Sequence, residues 1–294
     1  MGTHANSRLL AVLSILLCPL GAHAGLPLET ETARLLKAGA LKVESSVEYQ
    51  TSPEGFEVDV PLAFEYGITD YLELLVEPTV FSNIRPEIGR KVHGVGDLEI
   101  TLSWLFFEER PLIPALALAG EVKVPTASDV AIGTGETDYS PFLIASKRFG
   151  KWDTHLNFGY AILGEPPGVS LNDIFTYAAA AEYHVTPRWD LVAEVVGNTS
   201  SSPTTTQPTA QPPDAPGAGE GGGEGPGNPG SENTLVPEAA GNEIVGLVGA
   251  RFRVLPNLII SAGLAYDNNH ALLFRPGVTY RFDDIPALFR GHRL

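Results

Sequence analysis

The chain has 294 residues, a formal net charge of −16 and one cysteine. That length suits one large barrel or one to two ordinary domains, and so acidic a surface would be repelled by the phosphates of a nucleic acid. The only cysteine, Cys18, lies in a leader that the mature chain would lose, so disulfide-stapled secreted scaffolds are excluded.

The leader occupies residues 1–24. Arg8 precedes an apolar run from Leu9 to Leu20, which is too short for the roughly 20 residues of a membrane-spanning helix. Ala22-His23-Ala24 then supplies a small-residue cleavage site, the pattern of a secretory signal peptide. Large Leu17, before Cys18, stands where lipid attachment would want a small residue. Removing Arg8 makes the mature chain one unit more negative. No long apolar helix follows, so a role in a membrane would have to be carried by strands closed into a barrel.

Residues 25–39 mix Glu29, Glu31, Arg34 and Lys37 with Leu26, Leu28, Leu35 and Leu36, which predicts a short amphipathic helix serving as a periplasmic N-terminal segment rather than a plug. The barrel is assigned to residues 40–282. From Leu41 the rhythm is period two, with Leu41, Val43, Val47 and Tyr49 alternating with Lys42, Glu44, Ser46 and Glu48. After Ser52-Pro53-Glu54-Gly55 comes the clearest strand, with Phe56, Val58, Val60, Leu62, Phe64 and Tyr66 opposite Glu57, Asp59, Ala63 and Glu65. Pro61 on its polar side lacks a ladder donor and predicts a bulge or irregularity.

Tyr71 to Phe81 and Leu98 to Phe106 follow the same syntax, the latter setting Leu98, Ile100, Leu102, Trp104 and Phe106 against Glu99, Thr101 and Ser103. Further segments are Ala115 to Val124, Asp138 to Arg148, Trp152 to Leu163, Asp173 to His184, Trp189 to Val196, Glu243 to Val254, Leu258 to Asp267 and Ala271 to Phe282. The predicted fold is therefore all-β, an antiparallel transmembrane barrel of about twelve strands, an even number within the bacterial range. Short and long links alternate for most of the chain, as two unlike rims require. The exceptions are the longer link at Glu108 to Pro114 and the brief ones near Ser52 and Asn268. Tyr66, Tyr71, Phe106, Trp152, Trp189, Phe252 and Phe282 all fall beside short turns, where an interfacial aromatic girdle belongs.

Between residues 198 and 241 the composition collapses into Ser/Thr/Pro and then Gly/Glu/Pro, which predicts a disordered external loop. Its glycines are no phosphate cradle, since no Gly-Lys-Ser/Thr follows. A C-terminal tail, residues 283–294, trails Phe282, and it places the aromatic by which the barrel-assembly machinery would recognise the chain inside the sequence rather than at its end.

No nucleophile elbow or metal spacing stands out, and nothing calls for a cofactor, so the expectation is a non-enzyme with neither catalytic residues nor a metal. His155 and His184 fall on strands and read as histidines lining a wet interior. Asp267-Asn268-Asn269 reads as a tight hairpin before it reads as a cation site.

Inward charge is unevenly spread. Glu44, Glu48, Glu57, Asp59, Glu65, Glu73, Glu77, Asp97 and Glu99 come from the first four strands and form an expected pore-lining acidic wall. Arg251, Arg253, Arg275 and Arg281, from the tenth and twelfth, form an expected basic seam. Either the two sets neutralise one another at the barrel closure, or they set a transverse field that favours cations or zwitterions. Small inward residues Ala115, Ala117, Ala119, Asn157, Gly159 and Ala161 leave space on one wall, which favours a conduit over a solid plug.

Gly94-Val95-Gly96-Asp97-Leu98, Glu121-Val122-Lys123-Val124-Pro125-Thr126, Gly133-Thr134-Gly135-Glu136-Thr137-Asp138 and Ser146-Lys147-Arg148-Phe149-Gly150 resemble the outer-membrane transporters associated with the phenol-degradation meta-pathway. So do Leu156-Asn157-Phe158-Gly159-Tyr160 and Thr186-Pro187-Arg188-Trp189. The resemblance implies a Gram-negative outer-membrane barrel that takes up aromatic or other small organic compounds. It carries no binding motif onto this chain.

The reading is a porin-like outer-membrane channel for passive passage of small solutes, with membrane lipid, solutes and the assembly machinery as partners. Rivals are a surface-display or adhesion barrel with a closed lumen, a lipid hydrolase using a serine near His155 or His184, and, ranked last, a secreted soluble sandwich, whose outward aromatics would invite aggregation.

Overall fold

A computed structural model describes residues 28–201, 242–283 and 285. The signal peptide, most of the segment assigned to the external loop and most of the C-terminal tail lie outside the described residues. The elements run β1 Leu41–Ser46, β2 Glu48–Ser52, β3 Gly55–Thr69, β4 Leu72–Pro86, β5 Val92–Gly94, β6 Leu98–Phe107 and β7 Ala115–Val124. They continue as β8 Asp138–Phe149, β9 Trp152–Ala161, β10 Ile174–His184, β11 Trp189–Asn198, β12 Glu243–Leu255, β13 Leu258–Asp267 and β14 Leu272–Phe282. Every pairing is antiparallel, and β14 closes on β1 from Leu41↔Phe282 to Ser46↔Gly277 and on β2 from Leu272↔Thr51 to Phe274↔Tyr49.

Fourteen ladder segments make a twelve-stranded wall. β1 and β2 are one strand interrupted at Val47, whose N–H reaches the carbonyl of Pro276 at 3.0 Å while Pro276 has no N–H to return. β5 and β6 both pair with β4 and form a second interrupted strand. The irregularity expected near Pro61 is present: the β3–β4 register jumps between Val60↔Phe81 and Pro61↔Thr79, leaving Val80 as the extra residue.

Alternation divides the wall into two faces. Outward positions such as Leu102, Leu118, Leu143, Phe158, Val248 and Leu264 are 43–60% exposed around the whole circumference. A continuous apolar belt of this kind far exceeds what a water-soluble surface tolerates, so it faces lipid. Among the described residues no helix is long and apolar enough to cross a membrane, and the strands do the crossing.

The aromatics expected as a girdle sit on the outward face beside the short-link rim, several in contact. Trp152 lies 4.7 Å from Tyr183, Trp189 4.7 Å from Phe252 and Phe282 4.7 Å from Tyr280, measured between ring centroids. At the other rim, β11 and β12 pair as far as Asn198↔Glu243, so the long insertion between them joins neighbouring strands.

Candidate functional site

The inward face is polar and is threaded by the chain's own N-terminal segment. Residues 28–39 form no helix, which corrects that expectation, and they run along the inward face of the wall. Their backbone donors are taken by the wall instead, so no helical ladder forms. Starting at the short-link rim, the Gly39 N–H donates to the carbonyl of Gly67 at 2.8 Å and the Ala38 N–H to Asp70 at 3.1 Å. Deeper in, the Leu36 N–H donates to Glu73 at 2.6 Å and the Ala33 N–H to Ser146 Oγ at 2.8 Å. Asn157, with its amide oriented to satisfy both groups, bonds the N–H and carbonyl of Glu31 at 2.8 and 3.0 Å.

Glu194 then receives the N–H groups of Leu28, Glu29 and Thr30 together with the Thr30 hydroxyl. Arg275 holds the Leu28 carbonyl at 2.6 Å and pairs with Glu29. The Leu28 side chain packs among Val192, Leu247, Ala265 and Leu273, in a notch left by Gly249 and Gly263.

This segment fills the space expected along the small-residue wall. Ala33 belongs to one buried apolar cluster with Ala115, Ala117, Ala119, Phe142, Ile144, Ala161 and Ala178, so those alanines line a docking groove and not an open bore.

All nine acidic-wall residues occupy inward positions, and the structure separates them by access. Glu48, Asp59 and Glu77 are each 1% exposed, whereas Glu44, Glu57 and Glu99 are half-buried. Their near neighbours include lysines outside the expected seam: Lys42 pairs with Glu65 and approaches Glu44 at 3.6 Å, and Lys123 lies 2.7 Å from Asp138 and 3.8 Å from Asp97. Asp97 also accepts the N–H groups of Thr126 and Ala127 at 2.9 and 2.8 Å, fixing a loop at the long-link rim.

Of the basic set, Arg251 and Arg275 reach into the lumen, pairing with Glu182 and with Glu48 (3.1 Å) respectively. Arg253 instead bonds the Pro187 carbonyl at 2.9 Å, and Arg281 pairs with Asp283 at 3.0 Å, both at the short-link rim.

Just inside that rim lies a charged cluster whose members are far apart in sequence. Arg34 of the threaded segment bridges Asp153 at 2.5 Å and Glu109 at 2.6 Å, while Arg148 pairs with Asp153 at 2.6 Å and Lys147 with Glu109 at 2.7 Å. Glu182 is directly opposite Asp153, and Asp190 opposite both His184 and Arg251. Period two already puts Asp153 with His155, and Glu182 with His184, on one face. What was missing was the register that joins them.

His155 is 1% exposed and its Nδ1 lies 2.8 Å from Ser146 Oγ, with Asp153 3.8 Å from Nε2. The Ser146 hydroxyl also accepts the Ala33 N–H and contacts Thr32 at 3.2 Å, so it is covered by the threaded segment. At Asp267-Asn268-Asn269, Asp267 accepts the N–H groups of Asn269 and Ala271 at 3.0 and 2.7 Å, which is hairpin chemistry.

A closed twelve-stranded antiparallel barrel with an apolar outside and a polar, threaded inside is of the outer-membrane class. The family described as "Putative MetA-pathway of phenol degradation" matches residues 27–218, and the chain belongs to it. Among solved structures, an outer-membrane channel from Pseudomonas putida F1 is similar at a TM-score of 0.60 and 14% identity, over 85% of this chain and 98% of that one. The NanC porin is similar at 0.52 and 9% identity, over 81% and 98%. The KdgM porin in complex with disordered oligogalacturonate is similar at 0.50 and 9%, over 82% and 99%. At these identities the likeness is one of fold. No curated protein matches the chain.

Proposed function

We propose that the protein is a narrow, non-enzymatic conduit of the outer membrane for small solutes, aromatic and other small organic compounds among them. The observation that carries this reading is a polar lumen enclosed by a lipid-facing wall and threaded by residues 28–39. A folded plug domain would seal such a lumen, and an eight-stranded barrel would fill it with side chains, whereas twelve strands enclose a wider interior. The channel and porin neighbours support the fold on which this rests, and the family description supports the organic-solute class.

The half-buried Glu44, Glu57 and Glu99 are proposed to meet the passing solute, with the buried carboxylates setting the background field. The seven aromatics at the short-link rim are proposed as its anchor in the lipid interface, and Phe282, paired with Leu41 at the closure, as the internal aromatic read by the barrel-assembly machinery. A hydrolase reading gains little from Ser146 and His155, because the threaded segment covers them.

Single-channel recording of the refolded mature protein in planar bilayers tests the conduit. Small, stable conductance steps are expected, becoming larger when residues 28–39 are deleted. A heat-modifiable barrel that conducts in neither form would refute the proposal.

A further inference from the structure

Glu182, His184 and Asp190 are brought together at the periplasmic mouth by register alone. Glu182 and His184 are two apart on β10 and so share the inward face, and Asp190 opens β11 directly opposite His184. Their donor atoms all lie within 4.8 Å of one another: His184 Nδ1 is 2.8 Å from Asp190 Oδ1 and 3.4 Å from Glu182 Oε1. Zinc binds imidazole nitrogen and carboxylate oxygen at about 2.0–2.2 Å, so donors on a tetrahedral ion stand roughly 3.3–3.6 Å apart. One contact already has that spacing, and the other needs to open by about half an ångström.

Burial and charge point the same way. Glu182 and Asp190 are 2% and 8% exposed and fixed in the wall, while the His184 side chain is 27% exposed and gives access from the mouth. Arg251 grips Glu182 through Oε2, which holds the carboxylate in place and leaves Oε1 turned toward His184. Arg251 pairs with Glu182 and stands opposite Asp190, so one guanidinium faces two carboxylates, while Glu44 has Lys42 at 3.6 Å. Asp153, opposite Glu182, has its own counter-ions in Arg34 and Arg148. The group thus keeps one uncompensated negative charge, which a cation offsets.

We propose that Glu182, His184 and Asp190 form a binding site for one first-row divalent cation of the zinc type, with solvent completing its coordination, at the periplasmic mouth of the barrel. One imidazole and two carboxylates suit a borderline ion of this class, and Arg251 acts as the positioning residue for Glu182. An ion here lies at the mouth of the lumen and adds positive charge there, so it reduces cation flux from that side. Asp190 meets His184 only through the strand register, so no metal spacing is visible along the sequence.

Isothermal titration of the full mature barrel with zinc chloride, prepared without an oligohistidine tag, tests the site. One zinc per barrel is expected. Altering groups one step removed from a metal already costs about 10–100-fold in affinity, so His184→Ala should lose at least about tenfold. Asp190→Asn should act likewise, and His93→Ala, at the far rim, should not.

Heat-modifiable migration confirms that each variant is folded. In bilayers, zinc added at the short-link rim should lower conductance in wild type and not in His184→Ala. Absence of saturable binding to wild type, or undiminished binding in folded His184→Ala and Asp190→Asn, would overturn the proposal. Because titration needs no conductance, a failure of the conduit reading would leave this test intact.

Discussion

Arg34 is the residue through which the threaded segment is tied to the rim. Its guanidinium spans Glu109 on the β6–β7 link and Asp153 on β9, two positions 44 residues apart in sequence. Partial burial pushes the Glu109 carboxyl up, but hydrogen bonds from Lys147, the Arg148 N–H and Arg34 outweigh it and hold it at about 2 rather than the ordinary 4.5. A depressed carboxylate contributes its stabilisation above the ordinary value and loses it as pH falls through the depressed one. The clasp on Arg34 should therefore stay closed from neutral pH to well below 4. Titrating the Glu109 carboxyl resonance checks this, and a midpoint near 4.5 would show that the clasp does not form. Arg34→Met, which leaves both carboxylates short of a cation, should raise conductance noise at pH 7 without changing the heat-modifiable fold.

At the scale of the element, the segment 28–39 depends on a backbone approach that only glycine permits. A Cβ on Gly67 would fall within clashing distance of the carbonyl oxygens of Lys37 and Leu36, and backbone atoms cannot swing aside as the end of a side chain can. Gly67→Ala should break the reciprocal pair in which Gly39 N–H donates to Gly67 and Gly67 N–H to Ala40, at 2.8 and 3.0 Å. The expected result is faster tryptic cleavage at Lys37 and larger conductance steps. Unchanged protection would mean that the rim contact does not hold the segment.

This element is also where the sequence was least readable. The strands announce themselves by alternation within ten residues, and Pro61 even marked its own bulge. The segment's partners, by contrast, are Ser146 and Glu194, 113 and 164 positions away from the N–H groups of Ala33 and Thr30. Its leucines and charges satisfy a helical pattern that the wall then overrides. The alanines of β7, read as open space, are small for a different reason, which is to admit the chain's own N-terminal segment.

For the whole barrel, the question is whether its charge acts on what passes through. The acidic wall was legible because its residues alternate with apolar ones over the first four strands. The part that Lys42 and Lys123 play in neutralising it was not, because each stands alone among acids and its shortest pair, with Glu65 and Asp138 respectively, forms across strands.

Ion pairing of this kind removes much of the wall's field locally. Buried pairs such as Arg275 with Glu48 shape the lumen more than they select, and removing one partner of such a pair typically costs about 3–5 kcal/mol. Selectivity should therefore rest on the half-buried Glu44, Glu57 and Glu99, which mobile ions can approach. Reversal potentials across a potassium chloride gradient are expected to favour the cation, and Glu57→Gln with Glu99→Gln should move them toward zero while the barrel stays folded. Arg275→Met should instead lower the unfolding temperature. If wild type prefers the anion, the surviving arginines govern the path and the acidic wall is structural.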